Sequence, residues 1–451
     1  MYLRWASALA LGIFLAQPVA AHSLRDAMAA AYRNSDILEQ TRFLLRLQDE
    51  GVAQQIAGLR PIVSFSAQRS YTGPADVNVT SLNLVAELLV FDNGGTASLV
   101  AAAREQVAAA RHGLIAAEQQ VLLDAVTAFI NVWRDIQVVS VRESNVRVVT
   151  EQLRAARDRF EVGEDTRTDV AQAEASLAAA RSALAAARGQ LEISEELYII
   201  AIGERPHSFG NPGALPHFPA SEADADGVAR ANHPSILQLQ STVAADEFSL
   251  AAARSDYGPT VSLQATTGRT QGGVNEGNSA QLTLSLNQPI YRGGQLFSLE
   301  RVALATLSAS QAELNQTVRS IIQSVGNAYA RLRIANAQIQ ASEQQIRAAQ
   351  LAFEGVSEEA SLGARTTLDV LDAEQDLLDA RIGRIQAQAD LYIAAYSALS
   401  AMGLLTVSEL HLPVPQYDPE AYSDAFSNAP ARVTSEQGDR LDAVLERIGR
   451  D

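Results

Sequence analysis

The sequence contains no cysteine. This absence excludes disulfide bridges, thiolate metal sites and cysteine catalysis, and we also expect no lipoprotein anchor. Aromatic residues are scarce at 6%, although 47% of the residues are hydrophobic, and alanine supplies much of the difference. Because alanine is the best helix former and lets neighbouring helices approach closely, this composition predicts a helical protein with thin helix–helix interfaces.

Positive charge is also in short supply. Acidic residues number 52 against 35 basic ones, which gives a net charge of −17, and the basic residues form no block. Phosphate backbones would be repelled, so we expect no nucleic-acid partner. The six histidines show no metal-ligand spacing, and no nucleotide-binding loop or hydrolase arrangement is present. We therefore expect no cofactor, no metal and no enzymatic activity.

Long hydrophobic runs are missing after residue 21, where no segment has the ~20 uninterrupted apolar residues of a membrane helix. Residues 1–21 are predicted to be a cleaved secretory signal. Arg4 precedes a short apolar stretch, and Val19, Ala20 and Ala21 form a small-residue cleavage site. If the protein crosses a membrane, we expect it to do so with strands.

The chain carries an internal duplication. Residues 163–174 and 363–374 share six identities at one fixed offset, so the chain is best described as two similar halves. Gly163 and Gly363 are predicted to reverse the chain between two helices. The predicted organisation is a first repeat at 22–205, a linker at 206–221, a second repeat at 222–405, and a peripheral or partly disordered tail at 406–451.

Apolar and polar residues alternate in two segments, at about 61–91 and 259–291. This period of two predicts β-hairpins with one apolar and one polar face. A soluble hairpin packed on a core is the commoner fate of such strands. Serine and asparagine on the second face, however, fit the wet lumen of an outer-membrane barrel. We predict that the glycine pairs after the hairpins form strand-to-helix kinks, at Gly94, Gly95, Gly293 and Gly294.

Very long helices are predicted after each hairpin. Residues 96–160 contain no proline and one glycine, and residues 295–353 are similar. About 65 helical residues extend roughly 100 Å, which is too long for a compact globule. Heptad spacing in both segments favours coiled-coil packing. A further helical segment is predicted over residues 24–58.

Two hairpins supply four strands, whereas small membrane barrels need at least about eight. Four strands alone would leave unpaired edges in lipid, which is costly for every unmet backbone group. We therefore expect several chains to share one barrel. Two copies would give eight strands and three would give twelve, and the residues themselves leave both open, although a wide lumen favours the larger number.

With these features, residues 287–294 (Asn-Gln-Pro-Ile-Tyr-Arg-Gly-Gly) and 363–373 make the chain resemble the TolC-type outer-membrane efflux and secretion proteins. The resemblance covers nearly all of residues 22–405. It implies a mainly α fold with a membrane β part: a long antiparallel coiled-coil tunnel continuous with a twelve-stranded β-barrel shared by a homotrimer. It also implies a bacterial outer-membrane location, a tunnel in the periplasm, and docking to a periplasmic adaptor (membrane fusion) protein and an inner-membrane transporter.

The resemblance also implies an entrance gate. Two aspartates ring the narrowest point of the tunnel in that family, and Asp369 and Asp372 match them. From the residues alone, Asp369, Asp372, Asp376 and Asp379 form one acidic stripe on a helix. Such a stripe is more often a solvated face. Close to a symmetry axis, however, each position becomes a ring of carboxylates that attracts cations.

Gate tethers are implied in the same way. Arg365 matches a family arginine that holds the closed state, and Thr168 and Asp169 match its acceptors in the first half. A family tyrosine that shares this role is replaced by Ala360.

The function expected from these features is that of a passive outer-membrane channel-tunnel. It would serve as the exit duct of a tripartite efflux or type I secretion system. The alternative is a structural periplasmic coiled-coil adaptor or spacer protein without a pore, because such proteins also contain long helical hairpins.

Overall fold

A computed structural model describes residues 23–73, 77–205, 209–272 and 276–419. The predicted signal peptide and most of the predicted tail lie outside the described residues. Within the described ranges the chain forms eight α-helices and four β-strands. In chain order these are α1 Leu24–Asn34, α2 Asp36–Ala57, β1 Ile62–Thr72, β2 Val77–Phe91, α3 Gly95–Glu161, α4 Arg167–Ile202, α5 Glu222–Asn232, α6 Pro234–Ser255, β3 Thr260–Gln271, β4 Gly277–Asn287, α7 Gln295–Ser361 and α8 Thr367–Ala401.

The two long helices are the dominant elements, and each repeat contributes one. Both α3 and α7 contain 67 residues, which corresponds to roughly 100 Å of helix. Helix α7 continues well beyond the predicted end at residue 353, through Gly355 to Ser361. A single exposed glycine costs only about 1 kcal/mol, and the packing of α7 against α8 outweighs it.

The amino-terminal segment forms two helices where the sequence predicted one. The Ser35 side chain accepts a hydrogen bond from the Leu38 amide at 3.3 Å and starts α2 immediately after α1 ends. Serine is among the best helix N-caps, so a single residue is enough to separate the two helices.

The strand-to-helix kink of the first half is displaced by one residue from the prediction. Asn93 and Gly94 adopt left-handed backbone angles with φ of 55° and 81°, equivalent to Gly293 and Gly294 at 60° and 85°. Gly95 is instead the first residue of α3, where a β-carbon would lie 2.4 Å from a serine hydroxyl of α6. Asparagine tolerates the left-handed region better than most residues, which is why the glycine pattern was misleading.

All four strands belong to one antiparallel sheet in the order β1-β2-β3-β4. The register places Phe65 beside Leu84, and Leu263 beside both Leu88 and Leu284, so most of the large apolar residues of the strands share one face. That face is open to solvent in the single chain. Phe65, for example, is 67% exposed. The opposite face pairs polar residues such as Ser66 with Asn83 and Gln264 with Thr283.

The chain has two lateral sides, and each is formed by an edge strand of the sheet together with the outermost helices. In the sheet, β1 and β4 are the edge strands. Near the sheet, α2 packs on α3, α3 on α6, and α6 on α7, while farther along α3 packs between α4 and α8, and α8 packs on α7. One side is therefore formed by β1, α2 and α4, and the other by β4 and α7. Both sides carry exposed apolar side chains, such as Phe43, Ile200, Phe297 and Ile334.

The main hydrophobic core lies near the middle of the long helices, where α1, α5 and the ends of α4 and α8 pack against them. An 18-residue window of α3 is apolar enough to cross a membrane by composition, but half of it is buried in the chain. The first part of the predicted tail was wrongly expected to be peripheral. Val407 is 1% exposed and Leu412 is 7% exposed, and the Val407 amide donates a 2.6 Å hydrogen bond to Glu118.

Two left-handed glycines provide a matched pair of stability tests. Gly163 has φ of 82° and open space around it, whereas at Gly403 (φ 79°) a β-carbon would lie 2.7 Å from the carbonyl oxygen of Asn232. Gly163→Ala should lower the free energy of unfolding by about 1–2 kcal/mol, the cost of the backbone conformation. Gly403→Ala should cost clearly more, because it adds a clash with backbone atoms. Denaturant unfolding followed by circular dichroism measures both, and equal losses would contradict this account.

Candidate functional site

The candidate site lies at the two helical turns farthest from the sheet. Gly163 and Gly363 adopt φ of 82° and 74°, as the reversal of the chain requires. The helices that follow start with capping boxes built from Thr166 and Thr366. Each threonine amide donates to the aspartate three residues later at 2.9 Å, and that aspartate's amide donates back to the threonine hydroxyl at 3.3 Å.

Asp369 and Asp169 occupy equivalent positions in these caps. The pKa of Asp369 is lowered by hydrogen bonds from the amide and the hydroxyl of Thr366, and the positive charge of Arg365 adds to the effect. The pKa of Asp169 is lowered mainly by the hydroxyl and the amide of Thr166. Both side chains are therefore carboxylates that stabilise a helix start in addition to any other role.

Asp372 lies on an exposed face of α8, and its side chain makes no hydrogen bond to any other described residue. Asp376 and Asp379 are exposed on the following turns, and Asp379 accepts from Gln375 at 3.0 Å. The acidic stripe therefore faces away from the chain that carries it.

Arg365 does not reach the first-half residues within one chain. Its Nε donates to Glu359 at 2.9 Å, and both side chains are about half exposed, at 50% and 53%. Thr168 is exposed, and Asp169 is engaged in its own cap. Within the described chain Arg365 therefore makes no contact with Thr168 or Asp169, and its role as a tether stays a prediction.

The sequence analysis missed a charge reversal between the two turns. In the first repeat, Arg159 and Asp165 pair at 3.8 Å. At the equivalent positions of the second repeat stand Glu359 and Arg365, which pair with the signs exchanged. The backbone of the two turns is thus nearly the same while the charges are inverted. Alignment of the two repeats position by position would have found this signal.

The sequence analysis also missed a buried contact between the helical hairpin of the first repeat, α3 and α4, and that of the second repeat, α7 and α8. Glu374 of α8 is 6% exposed and accepts a hydrogen bond from the equally buried Asn145 of α3 at 3.3 Å. Burial raises the pKa of Glu374, and Asn145 and Arg381 oppose this effect. Leu371, one turn earlier, completes an apolar cluster with residues of α3 and α4. Glu374 interrupts an otherwise apolar face of α8, which is the sequence signal that could have identified it.

Thr367 forms a second contact between the two helical hairpins. It is 3% exposed and lies 3.4 Å from both Arg159 and Asp165 of the first repeat. Because the two turns of one chain are joined by polar and apolar contacts, they form a single unit. Among the residues that the structure describes, no group of three or more histidine, aspartate and glutamate side chains is placed to hold a metal ion.

Glu374 makes the stability of this unit dependent on pH. Because its pKa is raised in the folded state, its favourable contribution is present at acidic pH and is lost as the pH rises through the folded-state pKa. Glu374→Gln keeps an acceptor for Asn145 and removes the charge. The variant should therefore lose less thermal stability than the parent between pH 5 and pH 8, by a few degrees. The exposed Glu174→Gln is the control, and an unchanged pH dependence in Glu374→Gln would contradict the assignment.

Comparison with known proteins gives one consistent answer. Residues 28–202 and 227–404 match the family model described as outer membrane efflux protein. The outer membrane efflux protein BepC of Brucella suis biovar 1 (strain 1330) is 36% identical over 423 residues, 92% of this chain and 93% of BepC. The outer membrane protein TolC of Escherichia coli (strain K12) is 26% identical over 74% of this chain and 71% of TolC.

Among solved structures, the outer membrane protein VceC from Vibrio cholerae is similar with a TM-score of 0.75. The likeness covers 84% of this chain and 96% of VceC at 19% sequence identity, so it concerns the fold.

Proposed function

The chain belongs to the outer membrane efflux protein family, and from this premise we propose that it is the passive exit duct of a tripartite efflux or type I secretion system. The family consists of outer-membrane channels and not of enzymes. One observation carries the proposal: a four-stranded sheet with an exposed apolar face and a polar face stands at one end of two helices roughly 100 Å long.

The first step of the argument is closure of the sheet. The outer edges of β1 and β4 have no strand partner within the described chain. In a bilayer each unpaired backbone group is costly, so the edge of β1 has to pair with β4 of another copy. Because the two sides of the chain differ, this contact is head-to-tail and generates a ring. We propose a ring of three chains with twelve strands, which leaves an aqueous lumen lined by the polar face.

The helices continue this ring away from the membrane. The exposed apolar residues of α2 and α4 lie on the side of β1, and those of α7 lie on the side of β4. Neighbouring chains therefore bury them by the same head-to-tail contact that closes the sheet. A wall of helices roughly 100 Å tall would extend from the outer membrane into the periplasm.

The far end of this wall is proposed to meet the partner proteins. Val162 and Leu362 are 71% and 78% exposed at the two turns, where apolar side chains of a lone tunnel would face only water. This position suits docking of a periplasmic adaptor that connects the tunnel to an inner-membrane transporter. A sheet that is apolar on one face and polar on the other is expected of a membrane barrel with an aqueous lumen, and a spacer without a pore does not require one.

Planar bilayer recordings of the purified oligomer test the function and the acidic ring together. The protein should insert as a heat-resistant trimer and conduct ions with cation preference. Asp372→Asn combined with Asp369→Asn should weaken that preference and block by multivalent cations, since rings of carboxylates attract cations. Asparagine at position 369 keeps an oxygen that can accept a hydrogen bond from the amide of the cap residue Thr366. The exposed Asp124→Asn is the control. A monomer without conductance would contradict the duct, and unchanged selectivity would contradict the ring alone.

The tether is tested at Arg365. We propose that in the ring its guanidinium, held by Glu359, reaches Thr168 and Asp169 of the neighbouring chain and keeps the entrance narrow. Arg365→Ser should therefore raise the conductance of the resting channel severalfold. Arg188→Ser, which removes an exposed arginine paired with Glu143 at 2.7 Å, should leave the conductance unchanged. Identical recordings for Arg365→Ser and the parent would rule the tether out.

A further inference from the structure

The outward face of the sheet carries two arginines that the channel function does not explain. Arg69 of β1 lies opposite Thr80, and Arg269 of β3 lies opposite Leu82. Since side chains alternate along a strand, both arginines share the face of Phe65 and Leu84. Both are exposed in the described chain. This is the face that meets lipid in the proposed barrel.

Their height on the sheet is defined by the register. Toward the helices, the rows of this face are apolar, with Phe65 beside Leu84 and Ala265 beside Leu282. Toward the hairpin tips the rows become polar: Thr80 and Gln271 share the row of Arg69, and Asn278 lies opposite Arg269. The arginines therefore mark the boundary between the apolar band and the outer end of the barrel, where lipid headgroups lie.

The described strands place no acidic side chain on the face of the two arginines, although the exposed Glu276 directly precedes β4 at the hairpin tip. Among the described strand residues the one acidic side chain is Glu87, and its pairing with Gln264 places it on the opposite, polar face. The side chain of neither arginine makes a hydrogen bond or an ion pair with any described residue. The chain as a whole has a net charge of −17, so two neighbouring arginines on one face of the strands stand out within it.

The type of cation also fits one class of partner. The sequence contains no lysine, so every basic side chain presents a planar guanidinium. Guanidinium is weakly hydrated and binds phosphate oxygens in a bidentate manner. Strand β2 lies between Arg69 and Arg269, and the register offsets the two arginines by two residues along the strands, so their backbones are roughly 12 Å apart. Three copies would repeat this pair around the barrel.

We propose that Arg69 and Arg269 bind the phosphate groups of lipid headgroups in the outer leaflet of the membrane. The inference rests on the proposed orientation of the barrel. It adds a lipid-binding surface to the duct, in which phosphate supplies the counter-charge that this face of the described strands lacks and fixes the height of the barrel in the bilayer. Arginine at an interface, in contrast to the bilayer centre, is tolerated there at little cost.

Native mass spectrometry of the full-length oligomer in detergent tests the proposal, with diphosphorylated lipid A as the probe and the same glycolipid without phosphates as the reference. The parent should bind the phosphorylated lipid more tightly. Arg69→Gln combined with Arg269→Gln should weaken that binding by about fivefold for each arginine removed and leave binding of the reference lipid unchanged. The matched control is Arg188→Gln with Arg333→Gln, which removes the same charge from exposed sites on the helices.

Equal affinity of the parent for both lipids would overturn the proposal, as would full retention of the preference in the Arg69/Arg269 variant. Loss of the preference in the control as well would assign it to net charge, which also overturns a specific site. Bilayer conductance of the same preparations separates the two proposals. A variant that forms trimers and conducts normally but has lost the lipid preference supports the site, whereas absence of any channel would place the failure in the duct itself.

Discussion

The structure depends on one constraint: backbone hydrogen-bonding groups cannot remain unpaired in lipid. The chain satisfies them along β2 and β3 and leaves them open at the outer edges of β1 and β4. The outer helices are arranged on the same two sides as the edge strands: α2 and α4 lie on the side of β1, and α7 lies on the side of β4. The helices therefore have exposed apolar flanks where the sheet has open edges. A single chain of this protein is one part of a ring.

The two repeats use one backbone for two purposes. Their turns have the same left-handed glycine and the same capping box, with hydrogen bonds of nearly equal length. Their side chains differ at the positions that face other parts of the molecule, as the exchanged charges of the Arg159–Asp165 and Glu359–Arg365 pairs show. Glu174 remains at the surface with Arg157, while Glu374 is buried. The two repeats therefore share their backbone conformation because of the duplication, and the contacts between them depend on side chains that differ between the repeats.

Sequence reasoning succeeded where the cause is local. The turns at Gly163 and Gly363 and the alternation of the strands each depend on neighbouring residues, and both are present in the structure. Sequence reasoning failed where the same local pattern is compatible with two different structures. Asn93 takes the left-handed position expected of a glycine, and residues 406–412, which look irregular, fill the core because hydrophobic partners are available there.

The sequence by itself determined the elements of this protein: two repeats, the strand faces, the long helices and the membrane family they resemble. Periodicity and turn chemistry act within a few residues and are legible in the chain. Only the tertiary structure decided that Asn145 meets Glu374 and that Asp165 meets Thr367, each across more than 200 positions. It also decided that the two hairpins join through β2 and β3. Such contacts depend on how whole repeats pack side by side, which no local pattern encodes.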